Sequence, residues 1–295
     1  MTNAIEVQNL LKHLHRFQLK DVSFTLPKGT IMGFVGENGA GKTTTIKCIL
    51  DLLKKDGGKI KLFGKELHED ELAIKSEIGV VFDDLNFPES LTAKKISKFM
   101  RKVYSTWDDS YYCELLNKLK VHENKKLNEL SRGMKMKLSI AIALAHHPKL
   151  LILDEPTSGL DPIVRDEILD LFLDFMQDDE HSILFSSHIT SDLEKIADYI
   201  TFIHEGKLLF SESKDTLLYD YAIWRGTKDE FEDLPSESIL AIREQAYGLE
   251  VLLKRNEVST AFELSQPTIE EIMLIYVRGV KADESFVNER FFNAQ

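Results

Sequence analysis

The sequence predicts an α/β protein in which an all-helical stretch interrupts the sheet-forming segments and a small α+β appendage ends the chain. Three observations carry this reading. Ile31-Met32-Gly33-Phe34-Val35, Leu150-Leu151-Ile152-Leu153 and Ser182-Ile183-Leu184-Phe185 are short apolar runs, as expected of central parallel strands buried on both faces. Over residues 92–147 apolar side chains recur three and four apart, at Leu115, Leu116 and Leu119 and again at Leu138, Ile142 and Ala145. After about Glu212 strand-like runs return at Tyr221–Trp224 and Leu249–Lys254, and Pro267 precedes a helix over 268–278.

The elements follow in order. Residues 5–35 read as short strands broken at Pro27-Lys28-Gly29, with strict alternation in Val22-Ser23-Phe24-Thr25-Leu26. A glycine-rich loop and a helix-compatible segment, 43–53, come next. Lys59-Ile60-Lys61-Leu62-Phe63-Gly64 is a strand with a glycine stop, and Ile78-Gly79-Val80-Val81-Phe82 is another with a buried character. A helix over 161–176 lies between the last two apolar strands. No internal repeat and no low-complexity segment breaks the pattern.

Composition narrows the function. At 295 residues the chain is long for one minimal domain, so a core plus an insertion or a second, smaller domain is expected. A hydrophobic content of 43% argues against disorder. The net charge of −12 argues against nucleic acid as the main partner, because phosphate backbones select basic faces. Cys48 and Cys113 are too few and too far apart for a disulfide framework or a zinc site. Residues 2–6 hold neither a basic patch nor an apolar core, so no signal peptide is expected. No run approaches the roughly 18 apolar residues of a membrane span, so any membrane role must come through a partner subunit.

Gly36-Glu37-Asn38-Gly39-Ala40-Gly41-Lys42-Thr43 fits G-x-x-x-x-G-K-[ST] at every fixed position, between an apolar strand and a helix. Glycines there let successive backbone N–H groups converge on one anion, and the helix adds its positive dipole end. The loop, with Thr44 beside it, is a candidate ATP site: Lys42 reaches the β- and γ-phosphates and the Thr43 hydroxyl ligates Mg²⁺. Remote acidic charge does not prevent this, because it is screened beyond about 8 Å. Asp154 and Glu155 end a buried strand. Alone, they also suit a charged turn. Paired with Lys42, Asp154 is placed to hold Mg²⁺ through water, and Glu155 to orient and deprotonate an attacking water.

Leu130-Ser131-Arg132-Gly133-Met134 by itself is a polar helix start with Ser131 as N-cap. Together with the loop and the two acids, it resembles the L-S-G-G-Q signature of ATP-binding cassette (ABC) ATPases. Ser158-Gly159-Leu160-Asp161 then matches that family's D-loop, and His188 its switch histidine. The resemblance covers residues 1 to about 210 and includes the order of the motifs. It implies a P-loop NTPase core formed by 1–85 and 148–212, a helical signature subdomain over 86–147, and a C-terminal accessory domain over 213–295. It also implies head-to-tail dimerisation around two ATP molecules, with Ser131 and Gly133 of one protomer facing the phosphate loop of the other.

The chain departs from the family's pattern at three places. Arg132 and Met134 stand where glycine and glutamine are usual. Asp83 occupies the Q-loop glutamine position; an acid still contacts Mg²⁺ or water but, when ionised, donates no hydrogen bond. Leu14 occupies the place of the aromatic that stacks on adenine, with His13, His15 and Phe17 as substitutes. Arg132 is expected either to add a charge near the phosphate or to point to solvent, with solvent favoured. Asn86-Phe87-Pro88 is expected to form a turn with an exposed aromatic that meets the permease, the alternative being ordinary core packing.

Pro267-Thr268-Ile269-Glu270-Glu271-Ile272-Met273 looks like the ending of cassettes serving bacterial type-2 exporters, whose permeases are separate chains. The resemblance therefore implies an ATPase subunit on the cytoplasmic side of the membrane, bound to a permease and to a second cassette, identical or different. Two other readings are a regulatory module with weak hydrolysis, suggested by Asp83 and Arg132, and a cassette acting on ribosomes or DNA. Retention of Glu155 and His188 opposes the first. A single cassette without a basic patch opposes the second.

Overall fold

In the computed structural model, which describes residues 3–281, alternating burial builds the first two strands. β1 (Asn3–Leu14) buries Ala4, Ile5, Val7 and Leu10, and β2 (Phe17–Pro27) buries Leu19, Val22, Phe24 and Leu26. They pair antiparallel, Ile5 opposite Leu26 and Leu14 opposite Phe17. β3 (Ile31–Val35) is buried at every residue and leads through the glycine-rich loop into α1 (Lys42–Ile49). β4 (Gly57–Leu62) returns to β1 and completes a three-stranded antiparallel sheet ordered β2-β1-β4. The helix α1 stops short of the 43–53 expected from sequence, because Asp51 turns the backbone to a φ of 54°.

α2 (Glu71–Ser76) leads to β5 (Ile78–Val81), and the helical stretch that follows comprises three α-helices. Each starts on a side-chain cap. Thr92 caps α3 (Ala93–Val103), Asp108 caps α4 (Asp109–Lys118) and Ser131 caps α5 (Arg132–Leu144). β6 (Leu150–Asp154) returns the chain to the sheet. α6 (Pro162–Phe175) has Asp161 as its cap and proline in its first turn, a placement that costs no helical hydrogen bond. β7 (Ser182–Ser187), α7 (Thr190–Ile196), β8 (Tyr199–His204) and β9 (Lys207–Ser213) complete this part of the chain. The last helix and two strands were not apparent in the sequence, since a seven-residue helix is too short for periodicity to register.

The central sheet has the order β5-β6-β7-β3-β8-β9, and its pairs from β5 through β8 are parallel. Among the described residues, those up to Ser211 form one compact unit and those from Glu212 onward another. Within the second, β10 (Tyr221–Gly226), α8 (Lys228–Phe231), β11 (Ile239–Gln245), β12 (Gly248–Lys254), β13 (Leu264–Ser265), α9 (Ile269–Arg278) and β14 (Val280–Lys281) follow in order. They give an antiparallel sheet ordered β13-β10-β12-β11-β14 around Trp224, Phe231, Val251 and Leu253. The α+β character of this segment thus agrees with its sequence pattern.

Packing in the first unit locks helices onto the sheet. Phe172 of α6 meets Phe185 of β7 edge to face, with ring centroids 5.8 Å apart, and both side chains are fully buried. Phe172→Ala should therefore cost about 3–5 kcal/mol by leaving a cavity behind β7. Urea unfolding followed by circular dichroism checks this; a loss below about 1 kcal/mol would contradict the packing.

Candidate functional site

The glycine-rich loop leaves the sheet where backbone crowding is greatest. A Cβ on Gly36 would lie 2.4 Å from the Ile203 carbonyl oxygen, so only glycine fits between β3 and β8 there. Gly39 and Gly41 take φ values of 84° and 117°, a region L side chains avoid. Gly41 is the N-cap of α1 and brings no capping side chain, so the first-turn N–H groups remain available to an external anion. Glu37, Asn38 and Gly39 are exposed at the crown of the loop, while Ala40 is buried beneath it. Thr43 is exposed, Thr44 is half-buried, and among the described residues the Thr43 hydroxyl makes no hydrogen bond.

Lys42 is only 5% exposed and turns back along the loop. Its Nζ donates to the carbonyl oxygens of Gly36 at 2.6 Å and Glu37 at 3.2 Å, and stands 3.1 Å from Glu155 Oε1. That last contact is electrostatic, off the hydrogen-bond direction of the carboxylate. The other oxygen, Glu155 Oε2, lies 2.7 Å from His188 Nδ1. The structure therefore brings Lys42, Glu155 and His188 into one chain of contacts.

Strand register places the acids. Asp154, last in β6, pairs in register with Ser186 of β7. Ser186 Oγ donates to Asp154 Oδ1 at 2.8 Å and accepts from the Glu155 N–H at 3.2 Å. The same N–H also reaches the Ser186 carbonyl at 3.1 Å. Glu155 has a φ of 55°, an unusual conformation for a non-glycine residue that costs about 1–3 kcal/mol and is common at functional sites. Ser186 was not singled out by sequence reasoning. Its signal was present in Ser186-Ser187, two hydroxyls closing a buried strand whose middle, Ile183-Leu184-Phe185, is apolar.

A cleft of about 330 Å³ opens beside the loop, lined by Leu14, Phe17, Asn38, Lys42, Thr43 and Glu155 among others. Phe17 packs on the loop: a Cβ on Gly41 would meet its Cζ at 2.8 Å. His13 is engaged elsewhere, with Asp56 and Gln18. The oxygen donors near the loop, the Thr43 hydroxyl and the Asp154 carboxylate, suit a hard cation such as Mg²⁺.

Ser131, Gly133, Asp161 and Asp83 do not line this cleft. Ser131 and Asp161 act as helix caps, accepting from Met134 N and Val164 N, and both are exposed. Gly133 has ordinary space around it, 3.4 Å to Val164 for an added Cβ, so nothing within the chain requires glycine there. Asp83 accepts from Arg132 Nη2 at 2.6 Å, so Arg132 ends on that carboxylate and not free in solvent. Phe87 is half-buried, not exposed. The 83–91 loop curls back on itself, with Phe87 N bonded to the Leu85 carbonyl.

The family model for "ABC transporter" matches residues 19–158. The ABC transporter ATP-binding protein YtrB of Bacillus subtilis (strain 168) is 35% identical over 242 residues, 82% of this chain and 80% of that one. The bacitracin transport ATP-binding protein BcrA of Bacillus licheniformis is 39% identical over 212 residues, covering 71% of this chain and 69% of that one. A solved structure of an ATP-binding subunit of an ABC transporter superposes with a TM-score of 0.64 at 26% identity, over 72% of this chain and 91% of that one.

The Ser186 hydroxyl serves two partners at the acid edge; its loss leaves a buried Asp154 carboxylate oxygen short of a hydrogen bond, while the Glu155 amide keeps only the Ser186 carbonyl. Ser186→Ala should cost about 1–3 kcal/mol in stability. It should also slow ATP turnover by misplacing Asp154 and Glu155. Melting temperature and steady-state ATPase measured together test this, and a variant unchanged in both would remove Ser186 from the site.

Proposed function

The chain belongs to the ATP-binding subunits of ABC transporters, and from that premise we propose that it hydrolyses ATP at the Lys42–Glu155–His188 edge to power export through a separate permease. One observation carries the reading. Lys42 is buried on two loop carbonyls and faces a carboxylate that His188 holds from its other oxygen. Glu155 is the general base: it orients the attacking water and takes its proton, the water oxygen bonds to the γ-phosphorus, and the bond to the bridging oxygen breaks to release ADP.

Lys42 and the loop N–H groups of residues 36–44 bind the phosphates. Lys42 exchanges its contacts to Gly36, Glu37 and Glu155 for phosphate oxygens, so its gain in binding is the difference between the two sets. His188 orients Glu155 and stands toward the γ-phosphate. Thr43 and Asp154 would hold Mg²⁺, which would supply charge neutralisation for the phosphates. The adenine lies against Leu14 and Phe17, an apolar contact in place of a stacking aromatic at 14.

A second cassette, identical or different, completes each site. Its Ser131 and Gly133 stand at the exposed N-terminus of α5, where a spare dipole end meets the γ-phosphate. The absence of any internal need for glycine at 133 supports that reading, since close approach by another molecule supplies one. Asp161 closes the same interface. Of the three functional parts, 1–85 with 148–212 binds nucleotide, 86–147 carries the signature and meets the permease, and 213–295 is accessory. No described helix is long and apolar enough to cross a membrane, which suits attachment to the cytoplasmic face through that permease. Amphipathic peptide antibiotics are the substrate class proposed, on the likeness to a bacitracin transport protein.

Glu155→Gln should retain ATP binding and lose hydrolysis by about a hundredfold or more, trapping a closed dimer visible by size-exclusion chromatography with ATP. Hydrolysis at the parent rate would end the assignment. For the shared site, Ser131→Arg and Lys42→Ala protomers should each be inactive. Mixed, they should recover part of the activity through heterodimers with one intact and one doubly damaged site. No recovery despite demonstrated subunit exchange would rule out a head-to-tail homodimer.

A further inference from the structure

Asp83 and Arg132, two positions at which the chain departs from its family's pattern, touch each other. Arg132 Nη2 donates to Asp83 Oδ1 at 2.6 Å, with both side chains about half exposed. The same guanidinium lies over Gly159, where an added Cβ would come within 2.8 Å of Nη1. One helical turn on, Lys135 Nζ donates to Glu89 Oε1 at 2.9 Å. Backbone bonds run alongside, from Leu127 N to the Leu91 carbonyl and from Asn128 N to the Glu89 carbonyl. Between these ties lies a cleft of about 250 Å³ floored by Phe82, Leu85, Leu130 and Met136.

An exposed ion pair of this kind contributes only about 0–1 kcal/mol, so stability does not explain it. Its position does. Asp83 follows β5, whose neighbour β6 carries Asp154 and Glu155. Arg132 follows Ser131, and Gly159 precedes Asp161. One side chain thus connects the loop after β5, the N-terminus of α5 and the turn before α6. We propose that Asp83 and Arg132 are positioning residues for ATP turnover: opposite charges at 83 and 132 hold these three segments in one arrangement, and neither residue acts alone. A guanidinium already bonded to a carboxylate is a strut, not a free charge for a phosphate. The turnover part of this inference rests on the ATPase reading above.

The experiment compares the parent with Asp83→Asn, Arg132→Gln and the exchanged pair Asp83→Arg with Arg132→Asp. Each single variant should lower kcat by about three- to tenfold with little change in KM for ATP. Melting temperature should move by less than about 3 °C. The exchanged pair should recover at least half of the parent kcat, and about 0.5 M KCl should pull the parent toward the single variants. Amide hydrogen exchange without nucleotide should quicken over 83–91 and 131–136 in both single variants and return toward the parent in the exchanged pair.

An exchanged pair no better than the single variants in turnover and exchange would overturn the proposal, as would single variants that match the parent in both. An exchanged pair slower than either single variant would assign Arg132 to the phosphates directly and also overturn it. If the parent itself hydrolyses no ATP, the ATPase reading has failed, and the exchange pattern alone upholds or overturns the coupling.

Discussion

The site depends on the parallel register of β6, β7 and β3. These strands are buried at every residue and lie side by side, so their carboxyl ends come out on one edge of the sheet. Pairing of Asp154 with Ser186, and of Val35 with Ser187, sets the acids, the hydroxyl and the start of the phosphate loop at one level. Parallel strands cannot be joined by tight turns, and each crossover passes through helices. Residues far apart in the chain are thereby forced into contact. A slip of one residue in this register would reverse every side chain on the shifted strand and remove the site.

On that edge the chain assembles groups that a folding optimum would avoid. Lys42 is almost fully buried, Glu155 is in a strained backbone conformation, and Glu155 Oε1 has an ionic neighbour without a well-directed hydrogen bond. Burying an ion pair often fails to repay its desolvation. Under the proposed ATPase reading, phosphate oxygens and a reacting water would replace these contacts within the chain. Stability is supplied elsewhere, by apolar contacts such as Phe172 on Phe185 and Phe24 on Phe34.

The helical stretch has a different logic. Its helices begin on polar caps at Thr92, Asp108 and Ser131, and exposed ion pairs tie the loop before α3 to the first turns of α5. Such ties are weak one by one and can be exchanged at small cost.

Sequence by itself determined the α/β class, the phosphate loop, the buried strands and the acids at Asp154 and Glu155. These rest on local rules: glycine where φ must be positive, apolar runs where both faces are covered, and a strict spacing of loop residues. The family resemblance supplied the candidacy of Ser131, Gly133, Asp161 and His188. Tertiary structure alone decided that Lys42 and Glu155 face each other, that Ser186 serves both acids, and that Asp83 is paired with Arg132. It also decided that Phe17 lies on Gly41 beside Leu14. Each of these contacts joins residues on different segments, and its geometry follows from strand order and crossover. Local propensity carries no information about that order, because it is set by how the sheet and helices share one core.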